Sequence, residues 1–162
     1  MKLDYKQLLE TAGVVTVVLS LIFVALEIQQ NNKISNATLE YELRRDYAEL
    51  NELRLEDNQF LEFIVKMEDP RYEMSVLEQE RAESLVRRIG NTWNATHKAY
   101  SLDLLSDDSY NGLITNEIPR VISKYPALLP IFKEVWDYPQ NRYYPSELGE
   151  YVHEVIAEND NK

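Results

Sequence analysis

One uninterrupted apolar run near the N-terminus stands out in the pattern of hydrophobic and polar positions. Residues 11–26 carry no charge, and ten of these sixteen residues are Val, Leu, Ile or Phe. Apolar side chains would cover every face of the resulting helix, whereas a surface helix of a soluble domain keeps a polar face. Each of the ten favours membrane insertion by roughly 0.3–0.6 kcal/mol. The pattern therefore predicts a transmembrane helix over residues 8–28, with the lipid bilayer as its partner.

Two carboxylates, Glu10 and Glu27, flank the charge-free run. Their separation along a helix is roughly 25 Å, close to the ~30 Å thickness of the hydrocarbon layer. We interpret both as membrane-boundary residues; the alternative is that one is an intramembrane ligand for a proton or an ion. Residues 29–33 follow as a polar juncture, so we expect a first domain, residues 1–33, made of a tail, the span and the juncture.

A secretory signal peptide is the main alternative interpretation of this run. Lys2 and Lys6 suit the start of a signal, but sixteen uncharged residues exceed the usual stretch of about 7–15. The Ser-Asn-Ala sequence at 35–37 has the residue sizes of a cleavage site but begins nine residues beyond Leu26. We therefore expect a retained anchor. Cleavage near residue 37 and a buried hairpin or core helix are the alternatives.

The positive charges near the span favour one orientation. Lys2 and Lys6 precede it, whereas only Lys33 follows it before Arg44. Because Lys and Arg close to a span tend to stay in the cytoplasm, we expect a cytoplasmic N-terminus and an external C-terminal domain.

Small residues recur along one face of the span. Ala12, Thr16 and Ser20 are four residues apart, and Gly13 is adjacent. In lipid, helices associate through close backbone approach and hydroxyl hydrogen bonds. This small-residue strip, Ala12, Gly13, Thr16 and Ser20, predicts packing against a second copy of the chain or another membrane-protein subunit.

Residues 34–162 have the pattern of a compact helical-bundle domain. They contain no alternating strand runs bounded by hairpin turns. Apolar residues spaced by four, four and three predict a helix over 35–56 that continues from the span. The residues of this stripe are Leu39, Leu43, Tyr47 and Leu50. After a break at 56–58, a short helix has as core candidates Phe60, Leu61, Phe63, Ile64 and Val65.

The clearest helix start is a capping box formed by Ser75 and Glu78. We expect this helix to run to about residue 104 and to bury one stripe. That stripe comprises Ala82, Leu85, Val86, Ile89, Trp93, Tyr100 and Leu104. A further helix should start at Ser106 and continue through Ile114.

The C-terminal third is rich in proline. Five occur between 119 and 145, three of them in Tyr-Pro dipeptides at 125, 138 and 144. Proline discourages a continuing helix, so the pattern predicts short helices joined by turns. Pro145 suits the first turn of a last helix. The inner face of that helix is Leu148, Tyr151, Val152 and Val155.

Charge is concentrated in the C-terminal domain. Residues 1–33 hold three Lys against one Asp and two Glu, so the net charge of −11 lies in residues 34–162. That length suffices for one domain with its own core. Its acidic surface repels phosphate groups, so we expect no nucleic-acid partner. The absence of Cys excludes disulfides, thiol catalysis and Cys-based zinc sites.

Few residues point to catalysis. His97 lies beside the core stripe, as is typical of a hydrogen-bonded core histidine; its alternative role is a catalytic base. His153 lacks the second His of a zinc-protease motif, and the chain has no P-loop, dinucleotide fingerprint or nucleophile elbow. We therefore expect no catalytic residue, metal site or cofactor.

The sequence SLIFVALEIQQNN at 20–32 resembles the anchor of a diffuse group of uncharacterised small bacterial membrane proteins. In that group an SLIFV- or SLIYV-like apolar run ends in a Gln/Asn-rich juncture before an α-helical domain. The resemblance covers about 25 residues. It implies a bacterial protein with a single span and a helical domain. We therefore expect the protein in the bacterial inner membrane, with the periplasmic or external side of the domain favoured by the positive charges alone. The group has no assigned activity, so the resemblance implies no functional residues.

Three functions are compatible with these patterns. The first is a membrane-anchored, non-enzymatic interaction or accessory protein that acts through its helical domain. The second is a membrane-anchored sensor whose small ligand binds among Trp93, Trp136 and tyrosines. The third is a metal-independent enzyme that uses His97 with carboxylates.

Overall fold

The computed structural model describes residues 5–137 and 146–160 of the chain. Within these ranges every regular element is helical, which confirms the predicted all-α class. The helices are α1 (Tyr5–Glu56), α2 (Asn58–Lys66), α3 (Val76–Ser101), α4 (Asp107–Tyr110), α5 (Glu117–Lys124), α6 (Leu129–Asp137) and α7 (Ser146–Asp160). A π-helical turn follows α4 at Asn111–Thr115, and a 3-10 turn precedes α6 at Pro126–Leu128.

The chain forms two compact units, Met1–Leu39 and Glu40–Lys162, and α1 contributes residues to both. The division predicted after residue 33 therefore falls within α1. In the first unit, the large apolar side chains between residues 9 and 28 are 48–70% exposed. By length and composition, this one helix is apolar enough to cross a membrane.

In the second unit, the C-terminal part of α1 packs through the predicted stripe. Leu43 is buried and Tyr47 is half-buried, while the side chain of Leu50 lies outside the described part. The Ser109 hydroxyl donates a hydrogen bond to Glu40 Oε1 at 2.8 Å. The pKa of Glu40 is lowered by hydrogen bonds from Arg44 and then from Ser109. This end of α1 is therefore held to the segment that follows α3.

The break between α1 and α2 lies where it was predicted. Asp57 caps α2 by accepting hydrogen bonds from the backbone N–H of Gln59 at 2.8 Å and of Phe60 at 3.2 Å. Of the five core candidates, Phe63 and Ile64 are buried and Phe60 is half-buried. Leu61 and Val65 are exposed, so that part of the prediction was wrong: they lie on the outer face of α2.

Helix α3 forms the centre of the core. Its predicted stripe is confirmed at Ala82, Val86 and Trp93, which are completely buried. The Trp93 ring stacks on Phe132 of α6 with a centroid separation of 5.9 Å and lies 6.3 Å from the ring of Trp136. The Trp93 ring therefore lies where α3 and α6 meet. Helix α7 packs on α5 and α6.

The start of α3 is the predicted capping box. Ser75 Oγ accepts from the Glu78 N–H at 3.4 Å, and Glu78 Oε2 accepts from the Ser75 N–H at 3.0 Å. Tyr72 and Lys66 also donate to the same carboxylate, at 2.8 and 3.0 Å. Hydrogen bonds from Ser75, Tyr72 and Lys66 lower the pKa of Glu78 to about 2.

The end of α3 differs from the prediction. The helix stops at Ser101, three residues before the expected end, because Asp103 adopts φ 57°. The Asp103 N–H donates to Tyr100 O at 2.9 Å and the Leu104 N–H to Ala99 O at 3.0 Å. This pair of bonds is a Schellman motif, in which a left-handed residue terminates a helix.

The C-terminal helices follow the proline pattern where they are described. Pro126 opens the 3-10 turn, and α7 buries the predicted Leu148, Val152 and Val155. The two Tyr-Pro dipeptides at 138 and 144, and the role of Pro145, lie outside the described residues.

Candidate functional site

The second unit contains a cavity of about 220 Å³. One wall is apolar and comes from two helices that are adjacent in sequence. Helix α2 contributes Phe60 and Ile64, and α3 contributes Leu85 and Ile89. Small-molecule sites are typically concave and mainly apolar, with a few polar groups. The residues from α2 and α3 supply the apolar part of such a site.

The π-helical turn and α5 line another part of the cavity. Gly112 and Leu113 of the turn line it, together with Val121 of α5 and Tyr125, which follows α5. The Asn116 N–H donates to Asn111 O at 2.9 Å, the five-residue spacing that defines a π turn. Such turns are rare and frequently mark functional sites.

Two tyrosine hydroxyls fix the carbonyls of the π-helical turn. Tyr47 of α1 donates to Leu113 O at 2.8 Å, and Tyr151 of α7 donates to Thr115 O at 2.9 Å. Burial raises the pKa of Tyr47, and a side-chain hydrogen bond with Thr96 acts in the opposite direction. The hydroxyl therefore remains protonated and remains a donor at neutral pH. Tyr47 also lines the cavity.

An ion pair on α5 supplies the charged groups that line the cavity. Arg120 Nε donates to Glu117 Oε2 at 2.8 Å, and Arg120 Nη2 donates to Glu117 Oε1 at 2.5 Å. The hydrogen bond to Glu117 raises the pKa of Arg120. This two-pronged geometry is the strong form of an Arg–carboxylate contact. The two charges neutralise each other beside the apolar walls.

His97 lies in a separate cluster. Its side chain is buried, and Nδ1 is 2.9 Å from Tyr110 Oη. Nε2 is 3.7 Å from Glu147 Oε2. Tyr110 stacks on Tyr100 at 4.1 Å between ring centroids, and the Tyr100 hydroxyl donates to Asp107 at 2.9 Å.

This geometry confirms His97 as a buried, hydrogen-bonded histidine. Its hydrogen-bond partner is the Tyr110 hydroxyl, whereas Glu147 Oε2 lies beyond hydrogen-bond distance. His97 is not among the residues that line the 220 Å³ cavity. The cluster and the cavity are therefore two different places in the second unit.

The two tryptophans do not line this cavity. Trp93 and Trp136 are 0% and 6% exposed, and neither lines the cavity. Their rings fill the space between α3 and α6. The aromatic residues at the cavity are instead Tyr47, Phe60 and Tyr125.

The small-residue strip lies exposed on the N-terminal part of α1. Thr16 Oγ1 donates to Ala12 O and Ser20 Oγ donates to Thr16 O, both at 2.8 Å. A Cβ at Gly13 would meet no atom within 4 Å. The hydroxyl protons are therefore used within the helix, whereas the face itself is open to close approach. Packing against a partner stays a prediction.

The predicted boundary residues, Glu10 and Glu27, lie on the same uninterrupted helix as the strip, and both are exposed. The apolar side chains between them are exposed as well.

Helix α7 carries a Glu-x-x-His pair, Glu150 and His153, the spacing used by di-iron bundles. His153 Nδ1 is 3.4 Å from Asp137 Oδ1. Over residues 5–137 and 146–160, no group of three or more acidic or His side chains is placed to hold a metal ion.

No protein-family model, curated protein or solved structure matches this chain. The roles of the residues therefore rest on their geometry.

Proposed function

We propose that this protein is a non-enzymatic interaction or accessory protein of a bacterial inner membrane. A single span over residues 8–28 anchors it, and the acidic helical domain acts on the periplasmic or external side. The observation that carries the proposal is the exposure of 48–70% for the large apolar side chains between residues 9 and 28.

A continuous apolar surface of this kind needs a covering. Soluble monomers rarely expose apolar patches beyond a few hundred Å². A partner groove would cover one face of a helix, whereas apolar residues occur here on all faces. Lipid covers all faces at once, and a helix satisfies its own backbone hydrogen bonds in lipid. About 20 apolar residues match the hydrocarbon thickness.

The rest of the chain supports an interaction role. The small-residue strip offers a surface for a second copy or another membrane-protein subunit. The net charge of −11 keeps nucleic acid away from the domain.

Fractionation with charged variants tests the anchor. The parent chain and Leu55→Arg should stay with membranes through carbonate and high-salt washes, because Leu55 lies outside the span and is 85% exposed. A double variant, Leu19→Arg with Phe23→Arg, should move to the supernatant, because each central Arg costs about 2.5–3.5 kcal/mol of insertion free energy. Residues 34–162 alone should be soluble.

Recovery of the intact parent chain in the wash supernatant would refute the anchor. A mature N-terminus near residue 37 would instead establish a cleaved signal.

A second candidate function, the sensing of a small ligand, is favoured by the 220 Å³ cavity. A ligand that binds only the folded state raises the unfolding temperature. The full chain in lipid nanodiscs should therefore show a thermal shift with at least one member of a small-molecule panel. A panel without any shift at millimolar concentration counts against sensing.

A further inference from the structure

We propose that the cavity beside the π-helical turn binds a neutral, lipophilic molecule of roughly nine non-hydrogen atoms, such as a small aromatic ring system. The proposal rests on the second candidate function and names the chemical class of its ligand.

The volume of the cavity sets the size of the ligand. An apolar cavity of about 150 Å³ holds one benzene molecule. The cavity here measures about 220 Å³, so in proportion it holds a molecule half as large again.

The polar groups at the cavity set the charge of the ligand. Glu117 and Arg120 neutralise each other through two hydrogen bonds of 2.8 and 2.5 Å. The Tyr47 hydroxyl proton is already donated to Leu113 O. A charged ligand would have to compete with this ion pair, whose Arg120 side chain is 60% exposed, or place its charge against the apolar side chains of the wall, which costs free energy. The apolar and aromatic side chains of the walls therefore recognise the ligand.

Gly112 lines the cavity at an exposed position of the π-helical turn. Glycine weakens a helix relative to alanine, and no described glycine has a positive φ, so the backbone at Gly112 does not require glycine. A Cβ at this position would meet no atom within 4 Å. A side chain can therefore be added at this position of the cavity wall without a clash of its Cβ, within a π turn of the kind that often marks a functional site.

Methyl NMR of the full chain in phosphatidylcholine nanodiscs tests the proposal without detergent that would compete for the cavity. The neutral probes are indole and ethylbenzene; the charged probes of similar size are benzoate and benzylammonium. Ile64 and Ile89 line the cavity and report binding. Ile22 and Ile28 are exposed on the apolar part of α1 and report partition into lipid. We expect the neutral probes alone to shift the cavity methyls, and to do so saturably.

Two glycine variants supply the matched comparison. Gly112→Leu places a side chain at the cavity wall and should weaken indole binding at least about tenfold. Gly149→Leu adds the same side chain in α7, where a Cβ also meets no atom within 4 Å, and should bind like the parent. The Ile156 methyl belongs to the core and does not line the cavity, so it checks that both variants are folded.

The outcomes separate the ligand class from the sensing function. If benzoate or benzylammonium binds as tightly as indole and is equally sensitive to Gly112→Leu, the neutral class is wrong while ligand binding stands. If lipid chains contact the Ile64 methyl in probe-free nanodiscs, the ligand of the cavity is an acyl chain and not a small molecule. If Gly112→Leu binds indole like the parent, the assigned site is wrong. If no probe gives saturable shifts, both the site and the sensing function are wrong.

Discussion

At the scale of single residues, Trp93 and Tyr47 show what sequence can and cannot predict. Trp93 sits in the middle of a regular apolar stripe, so its burial follows from helical spacing, and the structure confirms it. The spacing also placed Tyr47 on the buried face of α1. Its hydrogen bond to Leu113 O joins residues 66 positions apart, and no local pattern encodes that pairing.

Trp93→Ala should lower the free energy of unfolding by about 3–5 kcal/mol, because it leaves a large cavity between α3 and α6. Urea unfolding of the full chain in nanodiscs, followed by circular dichroism, measures the loss. Trp93→Phe is the control and should cost less, because it keeps most of the volume and removes an indole N–H that has no hydrogen-bond partner among the described residues. A loss below about 1 kcal/mol for the alanine variant would contradict the central place of Trp93 in the core.

Glu78 makes the stability of the folded protein depend on pH in the acidic range. Its pKa in the folded state is lowered from 4.5 to about 2, so its stabilising contribution is present above pH 4.5 and is lost as the pH falls towards 2. Glu78→Gln should therefore flatten the fall of the urea midpoint across this interval. Glu80→Gln, an exposed change on the same helix, serves as the control and should keep the parent slope. Equal slopes for all three proteins would contradict the role of the capping box.

At the scale of elements, helix starts were easier to predict than helix ends. The capping box at Ser75 is a local side-chain signature, and α3 begins there. The end of α3 depends on the left-handed conformation of Asp103, which an aspartate adopts far less readily than glycine. The π-helical turn is harder still. Leu113 and Ile114 were expected to be helical and are buried, but carbonyls of this turn also accept hydrogen bonds from tyrosines of α1 and α7, which lie far away in the sequence. Local periodicity therefore could not predict the cavity wall that this turn forms.

Asp103→Gly should stabilise the protein by about 0.5–1 kcal/mol, because glycine avoids the steric cost of the left-handed region and loses only part of that gain to unfolded-state entropy. Chemical denaturation measures the change. Asp108→Gly, in the right-handed helix α4, is the matched control and should destabilise by about 0.5–1 kcal/mol. A destabilised Asp103→Gly variant would show that the aspartate side chain makes a larger contribution than the backbone strain.

At the scale of the whole molecule, an exposed apolar helix segment and an acidic domain with its own core form the two units. The all-α class, the long first helix and the stripe on α3 were predictable, because each depends on periodicity within a segment. The cavity depends on the distances between α2, α3 and α5, and these distances could not be predicted from the sequence.

Replacing Ala12 and Ser20 together with Leu should abolish dimeric or heteromeric crosslinks in membranes, because the larger side chains prevent close backbone approach while keeping the span apolar. Val15→Leu with Val18→Leu, also exposed on α1, is the control and should keep the crosslinks. Expression and localisation should be unchanged in both. An unaltered pattern in the strip variant would move the contact to the Leu39–Leu50 stripe or to the Tyr-Pro region.

Because the chain contains no cysteine, single substitutions allow site-specific labelling with a membrane-impermeant maleimide, which tests the span directly. We expect Ser35→Cys to be labelled on intact cells, Lys2→Cys only after permeabilisation that leaves the bilayer in place, and Leu19→Cys only after detergent solubilisation. Labelling of Leu19→Cys to the same extent as Ser35→Cys without detergent would contradict a helix that crosses the membrane over residues 8–28.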